Sequence, residues 1–280
     1  MIPASFDYAV AESVEHAIQL LGSSGDAKLI AGGHSLLPLM KLRLATPSLL
    51  VDVGRLPGLA GVTDAGDRLA VGALTRHHAV QHDPLLREHC PFLADTAGKV
   101  GDPQVRHRGT IGGSVAHGDP ASDLPTVLLA LDADMVVQGP GGSRTVPARD
   151  FFTGFLETAL APDEVLTEIR VPKTSDAWCY LKFQRRAQDW AMVGVAALVA
   201  RSNGGVGSAR IAFTNMGATP VRASAAEAVM AGASGDGIRA AAERAPEGTD
   251  PPSDTNASAD FRRHLAQVLT RRAVEQALAR

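Results

Sequence analysis

Two glycine-rich segments constrain the fold of this chain more than any other feature. The first runs from Ala31 to Leu36 with the sequence AGGHSL, and the second runs from Thr110 to Ser114 with the sequence TIGGS. Each follows an apolar run with the composition of a strand. A glycine pair lets the backbone turn with positive φ and brings N–H groups close to a ligand, because no side chain stands in the way. We therefore expect the two segments to face each other and to hold a long anionic ligand, such as the pyrophosphate of a dinucleotide.

Neither segment has the glycine spacing of the common nucleotide-binding loops. The chain contains no G-x-x-x-x-G-K-[ST] sequence, and neither segment reads G-x-G-x-x-G. A single glycine pair can also form a tight turn that only packs a strand against a helix. Because there are two such segments, we favour a ligand site over two structural turns. A dinucleotide site built this way would differ from the Rossmann type.

The overall composition is that of an ordinary globular protein and excludes several functions. A chain of 280 residues can form two domains or one large domain. A net charge of −3 and an aromatic content of 4% argue against a nucleic-acid partner. The longest apolar runs are too short to span a bilayer, and the N-terminal sequence lacks the pattern of a signal peptide. We expect a cytoplasmic location, with association at the inner face of the membrane as an open alternative.

The cysteines and histidines give no sign of a metal centre. The two cysteines, Cys90 and Cys179, are too few for an iron–sulfur cluster or a closed zinc site. We expect both to be buried apolar residues or ordinary free thiols. The nine histidines include His77, His78 and His107, but no H-E-x-x-H sequence is present. The chain is therefore expected to carry no metal site.

The pattern of apolar runs and breaks predicts an α+β fold in two domains. Residues 1–54 alternate strand-like and helix-like segments in the order β-α-β-α-β, and residues 55–176 complete the first domain with further strands and helices. A polar break that contains a proline ends this domain at residue 176. Residues 177–280 are expected to form a three-stranded antiparallel sheet with helices. Within them, the apolar run 191–201 fits either a strand or a buried helix.

Two further groups of residues lie near the glycine segments in the sequence. The sequence DPASDLP from Asp119 to Pro125 places carboxylates and a hydroxyl where a ribose could be hydrogen-bonded, although Asp119 or Ser122 could equally be a helix N-cap. A basic set surrounds the segments and could neutralise phosphates or dock an acidic partner. We favour an ordinary solvated face for at least two of its members, which are Lys41, Arg43, Arg106 and Arg108.

Three long sequences carry a resemblance to a known family. They are AGGHSLLPLMKLR at 31–43, DPQVRHRGTIGG at 102–113 and AHGDPASDLP at 116–125. In these the chain resembles the FAD-binding (medium) subunits of molybdenum hydroxylases, the xanthine dehydrogenase family, and is most similar to the carbon monoxide dehydrogenase type. The likeness extends over essentially the whole chain. It implies a two-subdomain FAD-binding domain of the vanillyl-alcohol-oxidase type, divided near residue 54, followed by a C-terminal flavoprotein domain.

The resemblance also implies which residues contact FAD. Both glycine segments would hold the pyrophosphate, Asp123 and Lys182 would be further anchors, Leu166 would pack on the cofactor and Val100 would lie near the adenine. Trp190 would lie near the flavin ring, with a core aromatic as its alternative. Gly101 and Ser114 depart from the family, where Ala and Asn are more frequent. The complete set of predicted FAD-binding residues is Ala31, Gly32, Gly33, His34, Ser35, Leu36, Val100, Thr110, Ile111, Gly112, Gly113, Ser114, Asp123, Leu166, Lys182 and Trp190.

The resemblance implies that the chain is one part of a larger enzyme. In that family a large subunit carries the molybdenum cofactor that hydroxylates the substrate, and a small subunit carries [2Fe–2S] clusters. The subunits form a heterotrimer that is usually doubled, and FAD delivers electrons to a quinone, NAD⁺ or oxygen. This role implies that no side chain of this chain acts as a catalytic acid or base. The expected function is the flavoprotein subunit of such an enzyme, with carbon monoxide, aldehydes, purines or N-heterocycles as alternative substrates.

Two other functions fit the same residues. The chain could be a self-contained flavin oxidoreductase with a substrate pocket in its C-terminal domain. The small size of that domain and its few titratable clusters argue against this function. It could also be a non-catalytic assembly protein that has lost FAD, which the intact glycine segments disfavour.

Overall fold

The N-terminal unit is a small parallel sheet with two helices. The computed structural model describes residues 2–202 and 204–280. The elements of this unit are β1 (Asp7–Val10), α1 (Val14–Gly22), β2 (Lys28–Ile30), α2 (Leu36–Lys41) and β3 (Leu49–Asp52). The strands pair in the order β1-β3-β2, all parallel. The Ser13 hydroxyl caps α1 by accepting a hydrogen bond from the His16 amide. The predicted β-α-β-α-β order is confirmed.

The middle unit is a five-stranded antiparallel sheet with a layer of short helices. Its elements are β4 (Val62–Asp64), β5 (Arg68–Gly72), α3 (His77–His82), α4 (Pro84–His89), α5 (Pro91–Ala97), α6 (Pro103–Arg108), α7 (Ile111–His117), α8 (Asp123–Ala130), β6 (Asp134–Gly139), β7 (Gly142–Pro147), α9 (Ala148–Phe151), β8 (Phe152–Gly154), β9 (Glu157–Thr158) and β10 (Val165–Pro172). The sheet has the order β4-β5-β10-β6-β7, and β8 pairs only with β9. Every residue of α8 is buried, so this helix lies at the centre of the layer.

The second glycine segment does not follow a strand, so the expectation that both segments do is wrong. It follows α6, and its glycines lie in the first turn of α7, for which Thr110 is the N-cap. The helix α6 forms because the Asp102 carboxylate accepts a hydrogen bond from the Val105 amide and Pro103 occupies the first helical position. Because α6 has only six residues, its apolar periodicity was too short to predict a helix from the sequence.

The C-terminal unit is an antiparallel sheet covered by three helices. Its elements are β11 (Ala177–Phe183), β12 (Val193–Ser202), β13 (Gly205–Thr214), β14 (Val221–Arg222), α10 (Ser224–Met230), α11 (Asp236–Glu243) and α12 (Ala259–Leu278). The strand order is β11-β12-β13-β14, so a two-residue strand joins the three that were predicted. The α+β fold class is confirmed. The predicted domain division at residue 176 stays a prediction, and it falls between the end of β10 and the start of β11.

Strand β12 is buried on both faces of its sheet. Ala196 and Leu198 pack with the core of the middle unit, whereas Val195 and Ala197 pack with α10, α11 and α12. Burial on both sides removes the alternation of polar and apolar residues that identifies a strand. This explains why residues 191–201 fitted two interpretations, and the structure shows that the strand is right. One continuous core therefore joins the C-terminal sheet to the middle unit.

Among the described residues, no helix combines the length and the apolar character that crossing a membrane requires.

We predict that Leu198→Ala destabilises the protein by about 2–5 kcal/mol, because it removes a side chain from this shared core and leaves a cavity. Leu198 is 1% exposed. Leu42→Ala, the same substitution at a side chain that is 57% exposed, should change stability by no more than about 0.5 kcal/mol. Urea unfolding of both variants tests this, and equal losses would contradict the packing described.

Candidate cofactor site

A large cavity lies where the three units meet. Its volume is about 1110 Å³, and its walls come from both glycine segments, from β11 and from the segment that carries Trp190. All of the residues predicted to bind FAD line it except Ile111. The side chain of Ile111 is fully buried in the core, and its amide donates to the Thr75 carbonyl at 3.0 Å. Neither the side chain nor the amide of Ile111 is therefore available to a ligand in the cavity.

The first glycine segment presents unused backbone donors to the cavity. The amides of residues 32–35 donate to no acceptor within the described ranges. Ser35 is the N-cap residue of α2, but its hydroxyl forms no capping hydrogen bond. Gly33 has φ of +73°, and a Cβ there would lie 2.9 Å from Leu37 Cδ1. The positive φ and the lack of space explain why glycine occupies this position.

The second glycine segment contributes space rather than free donors. The amides of residues 111–114 in this segment are already used: Gly112 donates to the Ala73 carbonyl at 2.9 Å, Gly113 to Thr110 Oγ1 at 3.1 Å, and Ser114 to the Thr110 carbonyl at 3.1 Å. A Cβ on Gly112 would lie 2.5 Å from Ala73 Cβ, so this glycine is required for packing on the residue after β5. The expectation that both segments offer free amides thus holds only for the first.

The two segments are held together by a close backbone contact. A Cβ on Gly32 would lie 2.5 Å from the Arg108 carbonyl oxygen and 2.8 Å from Gly109 Cα. Arg108 and Gly109 directly precede the second segment, so the predicted juxtaposition of the two segments is found. The Arg76 guanidinium also donates to the Arg108 carbonyl. Glycine at position 32 therefore sets how near the N-terminal unit approaches the middle unit.

None of the four members of the basic set lines the cavity. Lys41, Arg43 and Arg108 are exposed. Arg106 donates to the carbonyls of Val100 and Gly101, at 3.0 and 3.1 Å. The favoured interpretation, a solvated face for at least two members, agrees with this placement, whereas phosphate neutralisation by the set does not.

A buried ion pair forms part of the cavity wall. Lys182 Nζ lies 2.8 Å from Asp123 Oδ2, and the two side chains are 7% and 5% exposed. Burial raises the pKa of Asp123, and the charge of Lys182 opposes that rise. Ser122 is the N-cap residue of α8 without a capping bond from its side chain, and the Asp119 carboxylate accepts from the Ala121 amide at 2.8 Å. Of the two N-cap alternatives, the position of Ser122 is the one found.

The remaining predicted residues form apolar parts of the wall. Leu166 is buried in β10, and Val100 is half-buried after α5. Trp190 is 61% exposed at the rim, so the alternative of a core aromatic is wrong. The backbone next to it is anchored: Asn215 Nδ2 donates to the Ala191 carbonyl at 2.8 Å, and the buried Arg262 guanidinium donates to the Met192 carbonyl.

His77 is a cavity residue that the sequence did not identify. It is 4% exposed, and its amide donates to the Gly109 carbonyl at 3.0 Å, beside the second glycine segment. Burial, reinforced by the positive charges of Arg106 and Arg76, lowers the pKa of His77 from 6.5 to about 4. Its Nδ1 is buried and has no hydrogen-bond partner among residues 2–202 and 204–280. The adjacent HisHis sequence was visible, but nothing local distinguished the buried ring from the partly exposed His78.

Both cysteines are buried free thiols, as predicted, and neither lines the cavity. Burial raises the pKa of the Cys90 thiol to about 12, so this sulfur stays protonated and unreactive.

The donor set of the cavity fits a dinucleotide. Consecutive free amides are suited to a pyrophosphate, since they donate from the backbone without intervening side chains. Apolar side chains and one exposed tryptophan are suited to a flat ring system. The buried Asp123–Lys182 pair adds an ammonium donor and a carboxylate acceptor for the polar parts between these ends. The chain thus supplies binding and orientation at this site.

Comparison with known proteins gives one consistent family. A model of the FAD binding domain in molybdopterin dehydrogenase matches residues 4–174, and a model of the CO dehydrogenase flavoprotein C-terminal domain matches residues 178–277. The carbon monoxide dehydrogenase medium chain of Hydrogenophaga pseudoflava is 41% identical over 285 residues, covering 100% of this chain and 99% of the relative. The 6-hydroxypseudooxynicotine dehydrogenase complex subunit alpha of Paenarthrobacter nicotinovorans is 40% identical over 286 residues, with 100% and 97% covered. A solved carbon monoxide dehydrogenase structure from Hydrogenophaga pseudoflava, which lacks the Mo-pyranopterin moiety, superposes with a TM-score of 0.97 at 43% identity, covering 100% and 99%.

We predict that the buried neutral His77 makes stability depend on pH between 6.5 and 4. The folded state binds fewer protons than the unfolded state in this pH range. The neutral His77 therefore contributes its full share to the stability of the folded state above pH 6.5, and this contribution is lost as pH falls toward 4. Between pH 7 and pH 4 the loss due to His77 should be about 3 kcal/mol. Urea unfolding across this range should show a shallower pH dependence for His77→Gln than for wild type. The control variant His264→Gln changes an exposed histidine and keeps His77, so its stability should depend on pH as that of the wild type does. The same pH dependence in His77→Gln as in the wild type would contradict the lowered pKa of His77.

Proposed function

The chain belongs to the family of FAD-binding flavoprotein subunits of molybdenum hydroxylases, and from this we propose that it carries electrons from the [2Fe–2S] clusters of a partner subunit, through its own FAD, to an external acceptor. The observation that carries the proposal is a single cavity lined by the free amides of the first glycine segment and by the buried Asp123–Lys182 pair. The full-length similarity to a carbon monoxide dehydrogenase medium chain supports it.

We assign the pyrophosphate of FAD to the first glycine segment. The free amides of residues 32–35 are its donors, and the Ser35 hydroxyl adds one more. The second segment faces it with Gly113, which is exposed and carries no side chain, and with the Ser114 hydroxyl. This hydroxyl supplies the remaining polar contact of the second segment.

The rest of the cofactor is assigned to the walls described above. Val100 lies beside the adenine, Leu166 packs on the cofactor, and Trp190 covers the flavin ring from the rim. Lys182 and Asp123 bind its polar groups and keep a fixed charge next to it. Ile111 acts indirectly, because its buried side chain and its bond to Thr75 hold α7 in place.

Bound FAD supplies the conversion of single-electron input into two-electron output. The chain itself positions the ring and sets the electrostatics around it. Neither Cys90 nor His77 is charged near pH 7, because burial raises the pKa of the Cys90 thiol to about 12 and lowers the pKa of His77 to about 4. Oxidation of the substrate belongs to the molybdenum centre of a large subunit in this scheme.

We propose a heterotrimer of this chain with a large molybdenum-binding subunit and a small [2Fe–2S] subunit, and dimerisation of that unit. The flavoprotein architecture is of the carbon monoxide dehydrogenase type. Two relatives of nearly equal identity act, by their names, on carbon monoxide and on 6-hydroxypseudooxynicotine, so the flavoprotein does not select the substrate. A quinone, NAD⁺ or oxygen serves as the acceptor.

Purification of the chain together with its partner subunits tests the proposal. We expect about one FAD per chain in the visible spectrum, and reduction of that FAD when substrate is added to the complex. A preparation without yellow chromophore and without FAD uptake would exclude the flavoprotein function. Turnover of substrate by the chain alone would instead favour a self-contained oxidoreductase.

We predict that Gly32→Ala weakens FAD binding about tenfold, which equals about 1.4 kcal/mol. The new Cβ must displace the Arg108 carbonyl from 2.5 Å and so separates the two glycine segments. Gly25→Ala is the matched control, because a Cβ there has no atom within 4 Å. Rebinding of FAD to the flavin-depleted complex, followed by flavin fluorescence, measures both. Unchanged affinity in Gly32→Ala would show that the contact does not shape the FAD site.

A further inference from the structure

Tyr180 lies behind the cavity wall and bonds to the residue that presents the negative charge. It is 1% exposed on β11, and its hydroxyl donates to Asp123 Oδ1 at 2.6 Å. The other carboxylate oxygen, Oδ2, pairs with Lys182 at 2.8 Å. Each oxygen of this buried carboxylate therefore has one strong partner, and both partners come from the same strand. Asp123 itself belongs to α8 of the middle unit.

The Tyr180 hydroxyl belongs to a closed circuit of buried polar groups. Thr214 Oγ1 on β13 lies 3.0 Å from Tyr180 Oη and 2.8 Å from Thr126 Oγ1. Thr126 is on α8, one turn after Asp123, so the circuit leaves α8 at one residue and returns to it at another. Thr126 and Thr214 are both fully buried. Polar groups buried in this way fix the relative position of the elements they connect, because breaking any one bond leaves an unsatisfied group.

A glycine in the central strand makes room for this circuit. Gly194 lies on β12 between Lys182 and Thr214 in the sheet register. A Cβ at this position would lie 2.5 Å from Tyr180 Oη and 2.7 Å from Thr214 Oγ1. Glycine in the interior of a strand is unfavourable unless a group approaches closely. The approaching groups here are the two hydroxyls, so the space at Gly194 serves the bond between Tyr180 and Asp123.

We propose that Tyr180 is a positioning residue of the FAD site, which holds Asp123 in the orientation that keeps the Asp123–Lys182 pair at the cavity wall. The proposal rests on the proposed function, since it concerns how this pair meets FAD. Tyr180 does not line the cavity and acts only through Asp123. Burial and the neighbouring carboxylate raise the pKa of Tyr180 well above 10, so its hydroxyl remains a donor at physiological pH.

The bond also sets the pH range in which Asp123 is charged. The charged and titratable groups that act on Asp123 are Lys182 and Tyr180 from β11 and Lys99 from the segment after α5. Lys99 itself pairs with Asp95 of α5, and His117 of α7 lines the same cavity as Asp123. Burial raises the pKa of Asp123, and the Tyr180 hydrogen bond acts against that rise. Loss of the hydroxyl therefore raises this pKa further. As pH is lowered, FAD should dissociate at a higher pH from a protein without the Tyr180 hydroxyl.

Tyr180→Phe in the assembled complex tests the proposal. We expect FAD to bind about tenfold more weakly, since a buried charged acceptor loses its donor. We also expect the pH at which FAD dissociates on acidification to be higher than in the wild type. Tyr8→Phe is the matched control: Tyr8 donates to Asp52 at 2.5 Å in the same kind of bond, but neither residue lines the cavity. This control should bind FAD as wild type does.

A double-mutant cycle with Asp123→Ala separates positioning from general stability. Because Tyr180 acts through Asp123, Tyr180→Phe should weaken FAD binding no further when Asp123 is already replaced. Additive losses of FAD affinity in the double variant would overturn the proposal. So would a Tyr180→Phe protein that binds FAD with wild-type affinity and releases it at the same acidic pH as the wild type. If Tyr180→Phe does not assemble, Thr214→Val tests the proposal through the same circuit. We expect this variant to bind FAD more weakly, and unchanged FAD binding would contradict the proposal. A wild-type complex that takes up no FAD would refute the proposed function instead.

Discussion

The close backbone contact at Gly32 is the constraint on which the candidate cofactor site depends. Only a residue without Cβ allows the first glycine segment to touch the backbone of Arg108 and Gly109. The second segment is fixed from its other side, because the amide of Gly112 and that of the preceding residue bond to carbonyls in the segment after β5. The free amides at 32–35 are therefore held at a set distance from the first turn of α7. Both sides of the narrow part of the cavity are defined by backbone atoms, which side-chain motion does not alter.

The two glycine segments have different physical roles in one site. The first keeps its donors unpaired and accepts the positive φ of Gly33 to do so. The second has the amides of residues 111–114 satisfied and offers a surface without side chains at Gly113. The third part of the site is the buried Asp123–Lys182 pair, which connects the middle unit to the C-terminal sheet. A site assembled from three units needs a continuous core beneath it, and β12 provides this core by being buried on both faces.

The sequence predicted the elements and residues whose signals are local. The helix capped by Ser13 and the cavity positions of the glycine segments were found from such signals. The sequence could not show that amides of the second segment already donate to backbone carbonyls, because the acceptors at Ala73 and Thr75 are distant in the sequence. The burial of His77 likewise depends on packing against Gly109. Short helices and a strand buried on both sides have no clear periodicity, which is why these elements were missed or left ambiguous.

The structure of the FAD-loaded complex tests the central claim most directly. We predict that the pyrophosphate lies within hydrogen-bonding distance of the amides of residues 32–35, with the second glycine segment in van der Waals contact and the flavin ring beneath Trp190. The Asp123–Lys182 pair should remain formed beside the cofactor. FAD bound elsewhere on the chain, or a pyrophosphate that touches neither glycine segment, would contradict the claim.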